Sequence, residues 1–379
     1  MNKNIDPRQQ AIRDEIKAFA EKEMYPVSEE LDRMPEPRTF PHELYRKIGD
    51  AGYIGYVMPK ELGGGGKSSL EYITLVEELC YHDAAIGLLA CVGELATHPL
   101  VHYASDEQKK KYVPDCATGK RIPAFVLTEP NAGSDAANMQ TVAVENGSDY
   151  VLNGEKIFIM HGDVADLGIV FCKLDGKPKM SALIVETDQP GWQKRILKNK
   201  MGMRAATTGG IILKDVRVPK ENLLGDIGKG FRYALGTLDS ARVGVAAQGL
   251  GLAQRALDES ISYAKKRHAF GAPIAKLQAI QWMIADMATR VAAARCLTYK
   301  AAQLQDQGDK FSFEAAQAKL YATETAGFCI DRAMQIHAGY GYIGEFSPIE
   351  KMYRDQRILE IYEGTSEVQR LVIAGSLLR

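Results

Sequence analysis

The chain has 379 residues, 46% of them hydrophobic, and its 47 basic and 48 acidic side chains leave a formal net charge of −1. That length exceeds one ordinary core, so two or three domains or layers are expected. The balanced charge, with no basic block or aromatic-basic stripe, excludes a surface that tracks a phosphate backbone, and no nucleic-acid partner is expected.

From Asp6 to about Cys116 the pattern is helical. Ile12, Ile16 and Phe19 recur at helix spacing, and "PHELYRKIGDAGYIG" places Leu44 and Ile48 before a glycine break. The middle changes character. "AFVLTEP", "VAVENGSDYVLNGEKIFIM", "GIVFCKL", "SALIVET" and "GGIILKDVRVP" are short, rich in Val, Ile and Phe, and separated by turn signals, which predicts an antiparallel sheet or small barrel. From Gly230 the helical period returns and persists almost to Arg379. Helices, then strands, then helices predict an α+β fold with an inserted sheet domain, not a doubly wound one.

Six cysteines, Cys80, Cys91, Cys116, Cys172, Cys296 and Cys329, show no CxxC pair and no histidine at ligand spacing, so free thiols in a reducing compartment are expected. The first residues lack the apolar stretch of a signal peptide and the composition of a transit sequence. No segment is expected to stay apolar long enough to cross a bilayer, and a cytoplasmic location follows as the expectation.

Two glycine-rich stretches fail as nucleotide signals. "LGGGGKSS" (62–69) has Glu61 where a phosphate loop needs glycine, and "GDIGKGF" (225–231) lacks a βαβ setting. His98 and His102 share a helix face at chelating spacing but have no third ligand near them, and no metal site is expected.

Two stretches carry more. "LTEPNAGSD" (127–135) leaves a strand for a polar turn whose hydroxyls and backbone amides suit an anion or a heteroaromatic edge, or simply join strands. In "ILEIYEGTSEVQRLVIAG" (358–375), Ser366 and Gln369 read as a capping box, with Val368, Leu371, Val372 and Gly375 on one face of the last helix. Glu363 lies upstream of that cap, where helix-end electrostatics do not demand it. Held against Ile361 and Tyr362, its carboxyl would rise above about 4.3 by desolvation and become a better base for a carbon acid. A solvated loop glutamate is the alternative.

Together "LTEPNAGSD", "VRVPKENLLGD", "KRHAFGAPI" and "QIHAGYGYIGEFSPIEKMYRDQRILEIYEGTSEVQR" resemble, in order and over nearly the whole chain, the acyl-CoA dehydrogenase family. The resemblance implies an N-terminal helical domain (1–118), a middle antiparallel β-barrel-like domain (119–228) and a C-terminal four-helix bundle (229–379). It also implies a homotetramer, FAD between the β-domain and the C-terminal helices, an acyl-CoA substrate, and an electron-transferring flavoprotein as acceptor. Glu363 matches the base that takes the α-proton while the β-hydrogen leaves as hydride to flavin N5. The other station used by some relatives is Ala241 here, which cannot accept a proton. Hydrogen bonds from the Glu363 amide and a flavin ribityl hydroxyl would stabilise the enolate oxygen.

By the same resemblance Phe125, Leu127 and Thr128 surround the isoalloxazine, and Phe158 and Met160 cover its other side. Arg267, Phe270, Gln278, Gln335 and Gly339 match contacts to the FAD diphosphate and adenosine, some of them across a subunit interface, and Thr365 and Glu367 match the strip beside the base. Ser134, at the cofactor-side turn, joins Asp239 and Arg242 in holding the CoA part, while Tyr362 and Gly364 flank the thioester.

Where the family commonly has Trp-Ile-Thr-Asn, this chain reads "FIMH" (158–161), and Met160 cannot donate the hydroxyl hydrogen bond aimed at the flavin. Cys91 matches the place where family members line the bottom of the acyl slot, and Leu88, Leu95 and Pro99 nearby predict a short, broad pocket for a short, branched or alicyclic acyl group, such as a cyclohexane- or cyclohexene-carboxyl thioester. An oxidase-like relative that uses oxygen and a catalytically silent acyl-CoA-binding protein are the competing readings.

Overall fold

The computed structural model describes residues 6–177 and 179–378. The first part contains α1 (Pro7–Phe19), α2 (Tyr25–Arg33), α3 (His42–Asp50), α4 (Ser69–Tyr103) and α5 (Asp106–Ala117). Asp6 caps α1 by accepting the Arg8 amide at 2.9 Å, and Ile12 and Ile16 form its buried stripe.

Helix α4 organises the core. Ser68 and Glu71 start it with reciprocal side-chain to amide bonds of 3.1 and 3.0 Å. At Asp83 the backbone leaves helical geometry (φ −157°, ψ 112°), and the Asp83 carboxylate accepts the Ala85 and Ile86 amides, so the second half is re-capped and re-aimed. That second half carries Leu88, Cys91, Glu94 and Leu95. By length and composition α4 could cross a membrane, contrary to the sequence expectation, yet its apolar window is mostly interior. A helix hydrophobic all round is what a core sandwiched between layers requires.

The middle part contains β1 (Pro123–Val126), β2 (Val142–Asn146), β3 (Asp149–Met160), β4 (Leu167–Leu174), β5 (Met180–Glu186), β6 (Trp192–Ile196) and β7 (Thr208–Pro219). The order is β1-β4-β2-β3-β7-β6, with β5 on the other edge of β4. Most pairs are antiparallel, as expected, but β1 and β2 both run parallel to β4. Parallel pairing needs a long return instead of a tight turn, here the 127–141 segment and the β2–β3 hairpin, so no local signal announces it. Successive residues of β4 and β5 feed two cores. Ile169, Phe171, Ala182 and Ile184 join Leu100, Tyr112 and Tyr233 of the helices. Val170, Cys172, Leu183 and Val185 meet Leu152, Ile211 and Trp192 of the curled sheet. Burial on both faces explains why these strands read as unbroken apolar runs.

The last part contains α6 (Gly230–Lys266), the hairpin β8–β9 (His268–Ala269 and Ala272–Pro273), α7 (Gln278–Asp306), α8 (Ser312–His337), α9 (Gly339–Tyr342), α10 (Ile349–Gln356) and α11 (Ser366–Leu377). Helices α6, α7 and α8 pack on one another, α11 lies on α8, and α4 packs along α6. The α4–α6 approach is close: a Cβ at Gly251 would sit 2.2 Å from the Glu77 carbonyl oxygen.

The glycine loop before α4 is not a phosphate cradle. The amides of Gly64, Gly65, Gly66 and Lys67 already bond to the carbonyls of Pro59, Gly55, Met58 and Tyr56.

Candidate active site

A small apolar slot lies between α4 and α6 and is closed by the chain entering α11. Leu88, Cys91 and Leu95 line it from α4, Ala241 and Gln248 from α6, and Met160 from the end of β3. Glu363 and Tyr362 complete the wall. Pro99 is buried farther along α4 and does not line the slot, so its expected part in shaping the pocket is corrected. The slot holds about 30 Å³, room for about two water molecules.

Glu363 sits at the turn of the chain. Its φ is +53°, a left-handed conformation uncommon for a side-chain-bearing residue, and Gly364 follows at +91°. Burial raises the Glu363 carboxyl to about 7, against the opposing charges of Lys319 and Arg242. Three contacts fix the loop. Lys319 Nζ donates to the Gly364 carbonyl at 2.8 Å, and Gln369 Nε2 donates to the carbonyls of Gly364 and Glu363 at 2.8 and 3.3 Å. Tyr362 donates its hydroxyl to Gln248 Oε1.

The helix cap differs from the expected Ser366–Gln369 box. Thr365 is the cap and accepts the Val368 amide at 3.3 Å, while the Ser366 side chain is buried and Gln369 turns back to the Glu363 loop. The left-handed pair Glu363–Gly364 brings the chain into helical geometry one residue earlier than sequence spacing suggests. On the face read for the last helix, Leu371 is 71% exposed.

Arg242 is buried, not a surface charge, and pairs with Asp239 at 2.5 Å, whose other oxygen accepts the Ser312 hydroxyl. Its charge faces the Glu363 side of α6 and draws the carboxyl pKa down. Cys91 donates its thiol to the Gly87 carbonyl at 3.3 Å, and burial pushes that thiol up to about 12, so it is a packing residue of the slot.

The "LTEP" turn reaches the slot through β3. The Thr128 carbonyl accepts the Ile157 amide at 3.0 Å, next to a bulge where Phe158 takes φ +59° and leaves its ring 67% exposed. Two residues on, Met160 enters the slot and accepts the Thr208 hydroxyl at 3.4 Å. A buried ion pair holds the turn. Lys156 Nζ bonds to Glu129 Oε1 at 2.9 Å and to the Leu127 and Phe171 carbonyls at 2.9 and 2.7 Å. Glu129 also accepts the Gln140 and Thr141 amides. Phe125 and Leu127 lie just before this turn, whereas Ser134 is exposed on its far limb.

A second group lies elsewhere. Arg267 stacks on Tyr340, 5.5 Å from its ring centre, which joins the β8–β9 hairpin to the end of α8, near Gln335 and Gly339. Phe270, at the hairpin tip, is 95% exposed with φ +52°, and Gln278 is also exposed. None of these lines the slot. Thr365 is half-buried beside Glu363, and Glu367 points to solvent one turn on.

Glu129, Lys156, Lys319 and Glu94 escaped the sequence reading, and Gln369 was read only as part of a helix cap. Glu94 carried a signal, a charge inside an otherwise apolar run.

Family models describing the N-terminal, middle and C-terminal domains of acyl-CoA dehydrogenases match residues 6–120, 124–216 and 228–378. The chain belongs to the acyl-CoA dehydrogenase family. It is an oxidoreductase of that class. The caffeyl-CoA reductase-Etf complex subunit of Acetobacterium woodii is 45% identical, over 97% of each chain. Butyryl-CoA dehydrogenase from Megasphaera elsdenii superposes with a TM-score of 0.94 at 39% identity, over all of both chains. An acyl-CoA dehydrogenase complexed with FAD from Bacillus anthracis superposes with a TM-score of 0.93 at 34% identity, over 100% of this chain and 69% of that one.

Proposed function

We propose that the protein interconverts a short acyl-CoA and its α,β-unsaturated counterpart, with FAD as cofactor and Glu363 as the group that takes the α-proton. The observation that carries this is the Glu363 carboxyl on the wall of the slot, raised to about 7 by burial. Near that value a carboxyl is about half ionised at neutral pH, and its charged form is basic enough to take a carbon-bound proton.

The residues fit a flavin. A bulge presents the exposed Phe158 ring beside Thr128, on a strand that runs into the slot at Met160. Phe125, Leu127, Thr128, Phe158 and Met160 would hold the ring system, with Thr365 and Glu367 beside it. Arg267, Phe270, Gln278, Gln335 and Gly339 would hold the diphosphate and adenosine. When bound, FAD supplies an acceptor for the β-hydrogen as hydride. Lys319 and Gln369, through the Gly364 carbonyl, hold the carboxylate at the α-carbon, and the Glu363 amide is assigned as a donor to the thioester oxygen. Tyr362 and Gly364 flank the thioester, and Ser134, Asp239 and Arg242 serve the CoA part.

The butyryl-CoA dehydrogenase likeness supports a short acyl chain, with Leu88, Cys91 and Leu95 walling the slot along α4. Branched or alicyclic groups belong to the same proposal, through the place of Cys91 and Leu95 on the slot wall. An electron-transferring flavoprotein is the proposed electron partner, supported by the Etf complex of the Acetobacterium relative. A homotetramer is supported by bare apolar side chains on the C-terminal part, among them Phe270 (95% exposed), Tyr342 (77%) and Trp282 (61%). We place the enzyme in the cytoplasm.

Anaerobic mixing of the flavoprotein with butyryl-, isobutyryl-, cyclohexanecarboxyl- and octanoyl-CoA tests the substrate reading. Fast flavin bleaching with the first three is expected, and a clear preference for octanoyl-CoA would overturn it.

A further inference from the structure

Glu363 faces a difficulty of access. A thioester that fills the slot would cover Glu363, so a proton gained there needs another way out. Behind the slot lies a second cavity of about 300 Å³, and Glu94 and Tyr72 line both spaces. Glu94 is 6% exposed and is the other carboxylate of the slot wall. Across from it on α6 stands Ser240, whose hydroxyl accepts from Gln305 Nε2 at 2.9 Å and so has its own proton to direct elsewhere. Farther along α4, His98 and His102 line the rear cavity with ring centres 4.1 Å apart, and burial keeps both below their ordinary value, as neutral rings. Lys67 and Asp306, both exposed, stand where the cavity meets the surface.

We propose that Glu94 relays the proton between Glu363 and the water of this rear cavity while the thioester occupies the slot. The inference rests on the reading of Glu363 as base. As the α C–H bond breaks, its proton bonds to Glu363, its electron pair enters the new double bond, and the β-hydrogen leaves as hydride to the cofactor. Glu363 then gives the proton, directly or over one water, to the Glu94 carboxylate, and Glu94 gives it to the cavity. Both carboxylates return to the charged form. Reduction of the enoyl double bond runs the same chain inward. Burial and the Glu363 charge raise Glu94 to about 7, level with its partner, so neither transfer is strongly uphill.

The test is stopped-flow mixing of the FAD-loaded enzyme with butyryl-CoA, anaerobic and weakly buffered at about pH 8, above both carboxyl values, with a pH-indicator dye present. Wild type should release its proton in step with flavin bleaching. In Glu94→Gln the ratio of proton-release rate to bleaching rate should fall tenfold or more. In Glu94→Ala, formate, small enough for the rear cavity, should restore the ratio, which a structural role would not allow; this variant also carries the test if Glu94→Gln folds poorly. Release that stays in step with bleaching in the variants, or that awaits product departure in wild type, overturns the proposal. Bleaching itself, and its loss in Glu363→Gln, reports separately on the base.

Discussion

The Lys319 ammonium is fully buried and donates to the Gly364 carbonyl at 2.8 Å, one peptide beyond the Glu363 side chain. Burial lowers Lys319 to about 8, and Glu363 and Glu360 act to keep it charged. Lys319→Met removes both an anchor of the loop and a positive charge beside the base. A loss of about 10- to 100-fold in kcat is expected from misplacement of the carboxylate. The midpoint of the pH profile should move to higher pH, because the lysine charge holds the Glu363 value down. An unchanged midpoint in steady-state profiles would mean that Lys319 does not act on the base.

The pH profile of the wild type follows from Glu363. As the proposed base it must be ionised to accept the α-proton, and burial raises its carboxyl to about 7. For butyryl-CoA oxidation, kcat/KM should fall about tenfold per unit below that point and flatten above it. A profile flat down to about pH 5, near the ordinary carboxylate range, would contradict the buried setting described for the base.

The Glu129–Lys156 pair holds the turn that carries Thr128. Breaking one side leaves a buried charge unpaired. Glu129→Gln or Lys156→Met should therefore cost about 3 to 5 kcal/mol, and the double variant less than the sum of the two. Denaturant unfolding measures the cost. Flavin content of the purified variants should fall as well if the turn serves the cofactor.

Leu95 and Glu94 are neighbours on α4, and both bound the slot. Leu95→Ala should lengthen the pocket and raise kcat/KM for hexanoyl-CoA relative to butyryl-CoA by about tenfold, given about 1 to 3 kcal/mol for a methylene or two accommodated. Rates across an acyl-chain ladder check it, and an unaltered ratio would place the end of the slot elsewhere.

What the sequence made legible were features with local causes. The three-part layout followed from a change of hydrophobic period, and Glu363 stood out because it precedes a cap it does not serve. Features that depend on distant partners stayed hidden. Lys156 and Glu129 are 27 residues apart and meet only when β3 folds back under the turn. Lys319 and Gly364 are 45 apart. The parallel pairings of β4 lack a turn signature, and Thr365 displaced Ser366 as cap because of a left-handed glutamate that no spacing rule anticipates. Helix α4 passed for an ordinary helix, although its apolar run reflects burial between two layers.

The most direct test of the account is the rate at which butyryl-CoA bleaches the flavin of Glu363→Gln under anaerobic conditions, with flavin content matched to wild type. Loss of the base should slow bleaching by about 10³-fold or more. Bleaching at the wild-type rate would mean that some other group takes the α-proton and that the slot has been assigned the wrong chemistry.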